Sequence, residues 1–532
     1  MTGPARTLRS RWLGRVGYDE ALALQRAIHT CSDDDYLLLL EHPHTYTLGT
    51  RADPAHVLVD PASVGAQLVV TDRGGDVTYH GPGQLVGYPV GALATSPAGM
   101  RDVVAHVRRI EAALIEVLAG FDIVGVRVEG RSGVWVHRGR GHAAPGDAQP
   151  AAVAKIAAIG VRVARGRTMH GFALNVDCDL TMFDHIVPCG ISDAGVTSMA
   201  EVLGAAPEMS VVVEAVIRAW TRAACHLAVE AAGVAPVRVD DGEGVGEGRR
   251  PGWLKVTADL GPEYRELKRL VHDQGLHTVC EEAGCPNIYE CWSQRTATFM
   301  ILGDRCTRAC GFCLVDTRKP SPIDPDEPRR VADAVAILGL EHAVITSVAR
   351  DDVADGGAAG FAATIRAVRD GNPHTTIEVL IPDCKGDASA LATIFDARPD
   401  VLNHNLETVA RLQRRARPSA GYARSLAVLA RSKAAGLVTK SGIILGLGEE
   451  LDEVRMAIND LRAVGVDVLT LGQYLRPSPD HLPVARWVTP AEFDELGAFA
   501  RGLGFAHVES GPLVRSSYHA RAGADAALGV SA

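Results

Sequence analysis

The sequence predicts two domains of different class, an α+β domain followed by a complete or partial α/β barrel. Three observations carry this. At roughly 100–200 residues per domain, 532 residues exceed a single compact core. The run 234–252, VAPVRVDDGEGVGEGRRPG, is Gly-rich, charged and poor in large apolar residues, which marks a linker between residues 1–233 and 253–532. Before it, short β-rich stretches and helices do not strictly alternate; after it they do.

In the first domain, helical periodicity runs over Tyr18 to His29, Arg101 to Leu118 and Val211 to Ala231. Strand-like segments are Tyr36 to Leu40, Gln67 to Val70, Ile123 to Val128, Val134 to Val136, Lys155 to Val163 and Phe172 to Val176, which suits a mixed or antiparallel sheet. Arg138 to Pro150 reads as a surface loop. In the second domain apolar runs end near Leu302, Val348, Ile381, His404, Leu445 and Tyr474. Helical segments such as Val331 to Leu340, Ala388 to Phe395, Leu426 to Ala435 and Leu451 to Val464 separate them. Polar residues follow each run, including Thr346-Ser347, Pro382-Asp383, Asn403-His404-Asn405 and Gln473-Tyr474. In a barrel they share the face where active sites sit.

Composition narrows the function. No apolar run approaches the ~18 residues of a membrane span, and MTGPARTLRSRW lacks the apolar stretch of a secretory signal, so a cytoplasmic location is expected. A net charge of −10 spread over both halves argues against nucleic acid as the main partner. The chain has seven lysines, and Lys155 is the only one before residue 255, so it stands out from an arginine-dominated surface.

Six of the eleven cysteines fall between positions 280 and 313. Such clustering points to metal more than to disulfides. They divide into Cys280, Cys285 and Cys291 (CxxxxCxxxxxC) and Cys306, Cys310 and Cys313 (CxxxCxxC). Structural zinc usually shows four ligands in paired knuckles and is the weaker reading. Two triplets suit iron–sulfur clusters, since three thiolates on four irons leave one iron open.

CxxxCxxC placed just after the first barrel strand, its first cysteine closing the segment TFMILGDRC, resembles the radical S-adenosylmethionine superfamily. With VCEEAGCPNIYECW, TSVARDDVADGG, NHNLETV, SGIILGLGE, LTLGQYLRPS and GPLVRSSYHA, residues 253 to 520 resemble the lipoyl synthase family. The resemblance implies a partial TIM barrel and two [4Fe–4S] clusters. One, on Cys306, Cys310 and Cys313, would bind S-adenosylmethionine. The other, on Cys280, Cys285, Cys291 and Ser517, would be a sacrificial sulfur source. Without the resemblance, Ser516 and Ser517 read as a helix cap. Ala349 and Cys384 depart from the family pattern, which has an acidic residue and Phe there. Neither is a cluster ligand, and Cys384 reads as a small buried apolar residue.

In the first domain Cys189 lies in a Pro-Cys-Gly turn and Lys155 begins a β-like segment 34 residues earlier; acyl transfer needs a thiolate, and a Lys brought beside it would lower its pKa or accept its proton. A buried structural cysteine is the alternative. The Gly-rich stretch Arg73 to Pro89 reads as a hairpin and lacks the GK[ST] of a phosphate loop. With AKIAAIGVRVARGRTMHGFALNV and PCG it resembles the octanoyltransferase family over roughly residues 8 to 230, which implies the biotin/lipoate ligase fold. The acyl chain would sit on Cys189 with Lys155 as base. It would be lined by Arg73, Gly74, Gly75, Asp76, Val77, Thr78, Tyr79, His80, Ala158, Ile159, Gly160, Gly171, Phe172 and Ala173. His80 and His170 are either orienting groups or structural histidines.

The expectation is therefore a fusion of two consecutive lipoate-biosynthesis enzymes. Implied partners are octanoyl-acyl carrier protein, the lipoyl carrier domains of 2-oxoacid dehydrogenases and of the glycine cleavage H protein, and an electron donor such as ferredoxin or flavodoxin. No nucleic acid and no membrane are expected. A ligase-like or non-catalytic first module fused to an iron–sulfur carrier is the alternative.

Overall fold

The computed structural model describes residues 6–93, 102–137, 153–187, 195–224, 227–230, 250–255, 260–293 and 298–529. They divide into two compact units, Met1–Arg238 and Val239–Ala532. Cys189, most of the predicted linker and the predicted loop 138–150 lie outside the described residues.

The first unit runs β1 (Thr7–Arg15), α1 (Tyr18–Cys31), β2 (Asp35–Glu41), β3 (Thr45–Leu48), β4 (Gln67–Val70), β5 (Val77–His80), β6 (Gln84–Val90) and α2 (Val103–Ala119). It continues through β7 (Val126–Val128), β8 (Arg131–His137), β9 (Val153–Ala164), β10 (Arg167–Asn175), β11 (Gly195–Val196), α3 (Met199–Leu203), α4 (Met209–Ala223) and β12 (Ala228–Val229). Nine strands form a mixed sheet in the order β12-β1-β2-β6-β10-β9-β8-β7, with β11 on β9; β4-β3-β5 form a second sheet. The mixed α+β architecture is the one expected.

Local chemistry explains the elements. α1 begins where the Glu20 carboxylate accepts the Gly17 N–H at 3.1 Å, and it buries Ala21, Leu24 and Ile28 on one face. Leu37 to Leu40 of β2 are buried on both faces of the sheet. Leu37 and Leu39 pack with Ile110 and Leu114 of α2 and with Val216 and Trp220 of α4. The second sheet has its own core, built on Tyr46, Val77, Tyr79 and Phe183.

Four expectations change. β1 was not anticipated, because its arginines hide a strand. Arg9 and Arg11 are neutralised by Glu230, and Arg9 also by Asp34, so the strand pairs in parallel with β2 and β12. The helix expected to reach Ala231 ends at Ala223, and the chain returns as β12. The strand expected from Ile123 begins at Val126, after Asp122 takes a left-handed φ of 57°. The stretch 73–89 is no hairpin: β5 pairs with β3 in one sheet, whereas β6 pairs with β2 and β10 in the other.

The second unit contains α5 (Pro262–Asp273), β13 (His277–Thr278), α6 (Val279–Glu282), α7 (Ile288–Ser293), β14 (Thr298–Ile301), α8 (Glu327–Leu338), β15 (His342–Ser347), α9 (Ala358–Gly371) and β16 (Thr376–Leu380). There follow α10 (Ala388–Asp396), β17 (Val401–Asn403), α11 (Gln413–Ala416), α12 (Tyr422–Ala434), β18 (Val438–Leu445), α13 (Leu451–Ala463), β19 (Val468–Gln473), α14 (Pro490–Gly502), β20 (His507–Ser510) and α15 (Ala520–Leu528). The sheet runs in sequence order from β13 to β20, antiparallel only between β13 and β14. This is an open βα barrel. β20, α9 and α14 extend the pattern beyond the expected strands and helices.

One charged pair lies inside the barrel. Lys440 of β18 donates to both oxygens of Glu378 of β16 at 2.9 and 3.0 Å, and the two are 2% and 0% exposed. Burial pushes the Glu378 carboxyl up, but Lys440 and then His342 hold it below the usual carboxylate range. Its contribution is therefore present at neutral pH and lost as pH falls through the depressed value. Lys440→Met leaves the buried carboxylate without its cation, with only Asn403 and His342 beside it, and is expected to destabilise the unit by about 3–5 kcal/mol at neutral pH, measured by denaturant unfolding. A loss below about 1 kcal/mol would show that the pair is not isolated from water.

Candidate active sites

The first unit encloses a cavity of about 430 Å³, within the range of small-molecule sites. Arg73, Gly74, Gly75, Asp76, Thr78 and His80 line it, as do Ala158, Ile159 and Gly160 of β9, Gly171, Phe172 and Ala173 of β10, and Lys155. Val77 and Tyr79 do not. Strand alternation turns them into the core of the second sheet, where the Tyr79 hydroxyl lies 2.8 Å from His44 Nδ1.

Arg73 shapes the loop from within. Its Nη2 donates to Thr47 O, Thr47 Oγ1 and Asp76 O at 2.7–2.9 Å, so its charge is spent on backbone and hydroxyl acceptors. The Gly74 N–H donates to Val161 O at 3.1 Å, docking the loop onto β9. A Cβ at Gly160 would meet Gly74 O at 2.8 Å, and one at Gly171 would meet Gly87 O at 2.2 Å. Close backbone approach therefore demands glycine at both.

The histidines are neutral. Burial, followed by His42 and Arg73, drives His80 well below its usual pKa. Its Nδ1 lies 2.8 Å from Gln84 Oε1, an amide oxygen that accepts, so Nε2 is left as an acceptor. Burial, then Arg73, Arg162 and Arg26, lowers His170 to about 3. Its Nε2 donates to Asp72 Oδ1 at 2.7 Å, and its φ of 58° fixes the backbone there. Lys155 is half-buried, its ammonium 4.7 Å from the Trp135 ring centroid in a cation–π contact. Tyr18, Arg51, Tyr88, Gly130, Arg131 and Ser132 also line the cavity and were not anticipated. Tyr18 and Tyr88 read as ordinary apolar positions of a helix and a strand, and only the three-dimensional packing turns them inward.

In the second unit a cavity of about 230 Å³ opens at the C-terminal ends of the parallel strands. Cys280, Cys285 and Ser517 border one side and Cys313 another, with Asn403, Asn405, Glu407 and Gln473 between. Asp383 and His404 do not line it. Asp383 pairs with Arg308, and His404 bonds Ile381 O and Ser425 of α12, on the helix side of the strands.

A recess beside this cavity brings Cys280, Cys285, Cys291 and Ser517 together. The segment 513–518 is pinned over the triplet at both ends: Asn287 Nδ2 donates to Leu513 O at 2.7 Å, and the Tyr518 hydroxyl donates to Glu290 at 3.2 Å. Ser517 does not serve as a side-chain cap. α15 starts at a left-handed His519 with no side-chain capping bond. Ser516 Oγ accepts from Asn405 Nδ2 at 2.6 Å.

All six cysteines are free thiols. Burial pushes Cys280 up to about 11, Cys291 to about 12 and Cys313 to about 11. Such thiols ionise on binding metal, whose charge replaces the lost solvation. Among the described residues no three His, Cys, Asp or Glu side chains converge on a single ion. Ligands of a four-iron cluster stand at separate corners and need not converge. Three thiolates with the Ser517 hydroxyl at one site, and three thiolates alone at the other, fit two such clusters.

Comparison with known proteins agrees with this division. Residues 17–221 match the lipoyl protein ligase A/B catalytic domain, 236–285 the N-terminal domain of lipoyl synthase, and 300–461 the radical SAM superfamily. Lipoyl synthase from Mycobacterium bovis is 60% identical over 272 residues, 51% of this chain and 88% of that protein. Lipoyl synthase from a Mycobacterium species is 59% identical over 272 residues, 51% of this chain and 84% of that protein. A solved structure described as a bipartite lipoate protein ligase with its E2 lipoyl domain, from Thermoplasma acidophilum, covers 41% of this chain and 84% of its own at 19% identity and a TM-score of 0.33. The first unit carries a lipoyl protein ligase A/B-type catalytic domain. Through its second unit the chain belongs to the lipoyl synthase family.

Proposed function

We propose that one chain carries out two consecutive steps of lipoate biosynthesis. The first unit moves an octanoyl group from octanoyl-acyl carrier protein, through acyl-Cys189, to a lysine of a lipoyl carrier domain. The second unit inserts sulfur at C6 and C8 of that octanoyl chain. The observation that carries the reading is the cavity of the second unit, bordered by cysteines of both triplets and by Ser517.

In the first step Lys155 manages the proton of Cys189. The thiolate attacks the thioester carbonyl, and the carrier thiol leaves with a proton. The target amine then attacks the acyl-cysteine, regenerates the thiolate and loses a proton to Lys155 or solvent. Arg73 holds the glycine loop against the acyl chain, and neutral His80 and His170 add polarity to the cavity without net charge. In the second step Cys306, Cys310 and Cys313 hold one cluster, and Cys280, Cys285, Cys291 and Ser517 the other. When bound, these groups supply reductive cleavage of S-adenosylmethionine and the sulfur atoms. The electron comes from a donor of the ferredoxin or flavodoxin type. Asn403 and Asn405 line the substrate cavity, whereas the Gln473 amide is held by the backbone of Leu445, Tyr474, Arg486 and Val488. Both units visit the same carrier domain, so tethering raises the local concentration of the second catalyst. Among the described residues no helix is long and apolar enough to cross a membrane.

The deciding assay is anaerobic reconstitution, followed by mass spectrometry of a lipoyl carrier domain supplied with octanoyl-acyl carrier protein. Octanoylation followed by lipoyl formation is expected without ATP. A requirement for ATP and free octanoate would instead identify a ligase. Lys155→Ala is expected to slow octanoylation at neutral pH by about 10²–10⁴-fold, with partial recovery at alkaline pH where the thiol ionises unaided. A pH profile parallel to wild type would remove Lys155 from the mechanism.

A further inference from the structure

The loop carrying Cys306, Cys310 and Cys313 is fastened to two strand-end turns by one arginine. Arg308 stands between the first two cysteines and is 8% exposed. Its Nε and Nη2 reach the two oxygens of Asp351 at 2.7 and 2.9 Å, and Nη2 lies 2.7 Å from Asp383 Oδ1. Asp351 follows β15 and Asp383 follows β16. Smaller bonds close the same seam. The Thr307 N–H and Oγ1 both donate to Ala349 O at 3.0 Å, and the Asp351 N–H donates to Thr307 Oγ1 at 3.0 Å. Cys306 Sγ accepts from the Arg308 N–H at 3.4 Å and from the Ala349 N–H at 3.3 Å.

Backbone strain points to the same carboxylate. Cys384, Lys385 and Gly386 have φ of 45°, 54° and 79°, three successive left-handed residues of which two carry a Cβ. Such a run persists only where its surroundings over-determine it. Here the Lys385 N–H donates to Asp383 Oδ1 at 3.0 Å and the Gly386 N–H to Asp383 O at 2.8 Å, while Lys385 Nζ reaches Asp351 O at 3.0 Å. Arg308, Asp351, Lys385 and Asp383 thus form a closed ring, and none of the four lines the substrate cavity.

We propose that Arg308 is a positioning residue for Cys306: its fork between two carboxylates sets where that thiolate stands and which amides point at it. This rests on the assignment of the CxxxCxxC triplet made above. N–H···S bonds withdraw electron density from a ligand sulfur, so they make the metal behind it easier to reduce. Lysine keeps the charge of Arg308 but lacks a planar fork able to span both carboxylates. Without that span the seam loosens, and the two amides lose their aim at Cys306.

The test uses the full chain, metal-free and after anaerobic reconstitution, as wild type, Arg308→Lys and Asp383→Asn. Arg308→Lys is expected to keep its iron yet show a shifted spin-resonance spectrum of the reduced protein and a lower reduction potential. Turnover in S-adenosylmethionine cleavage should fall about tenfold or more, the scale of second-layer changes around metals, with KM within about twofold. Asp383→Asn, which keeps the Asp351 arm, should lie between. In the metal-free protein, amide exchange at residues 306–313 and 349–351 should rise while the thermal midpoint stays put. Loss of this triplet's iron with an unchanged midpoint would also support the proposal, because the loop could then no longer present its ligand. A wild-type spectrum and turnover, a change in KM alone, or a midpoint falling in step with turnover would overturn it. The underlying assignment fails separately, if Cys306→Ala retains full iron and cleavage.

Discussion

Replacing Cys189 by serine is expected to abolish octanoyl transfer, by about a thousandfold or more, while sulfur insertion into a pre-octanoylated carrier domain continues at the wild-type rate. The nucleophile of acyl transfer is the thiolate, and a lysine can draw a proton from a thiol of pKa near 8.5 but not from an alcohol many units weaker. The second activity survives because each unit has its own hydrophobic core. Leu37, Leu39, Ile110 and Trp220 belong to one, Phe299, Ile345, Phe361 and Val379 to the other. Mass spectrometry of the carrier domain reads both steps, since octanoylated and lipoylated products differ in mass. Loss of both activities in Cys189→Ser would contradict two independent sites.

How far the sequence could be read depended on whether a signal was local. The cysteine triplets, the alternation of strands and helices after residue 253, and the single early lysine are properties of spacing and count, and they survive any packing. β1 has no local signature because its arginines are neutralised by Asp34 and Glu230, the latter more than 200 positions away. The stretch 73–89 looked like a hairpin because Gly81-Pro82-Gly83 is turn chemistry. The turn is real, but it hands the chain from one sheet to another, and which strand becomes a partner is a long-range choice. The same non-locality hid Tyr18, Tyr88 and Arg131 from the list of cavity residues. It also explains Val77 and Tyr79: a contiguous motif implied that every residue touched the acyl chain, whereas a strand presents alternate residues to opposite faces. Arg308 is similar, since its two carboxylates come from turns 43 and 75 positions downstream.

Removing the two cysteine triplets one at a time is expected to separate radical generation from sulfur donation. Alanine at Cys306, Cys310 and Cys313 should take away about four irons and all cleavage of S-adenosylmethionine, because no open iron remains to chelate it. Alanine at Cys280, Cys285 and Cys291 should also take away about four irons but leave cleavage in place. Hydrogen would then be abstracted with no sulfur to follow it, so 5′-deoxyadenosine accumulates without lipoyl product. Ser517→Ala probes the recess that Ser517 shares with that triplet. On the proposed assignment three thiolates would still hold the metal, so iron content should stay near wild type, while lipoyl formation should fall because the corner assigned to Ser517 is altered. Iron analysis, deoxyadenosine quantification and carrier-domain mass spectrometry on the same samples distinguish the three variants. Sustained lipoyl formation by the Cys280/Cys285/Cys291 variant would mean that sulfur arrives from elsewhere. Loss of cleavage in that variant, with the other triplet's iron retained, would mean that the two sites cannot act apart.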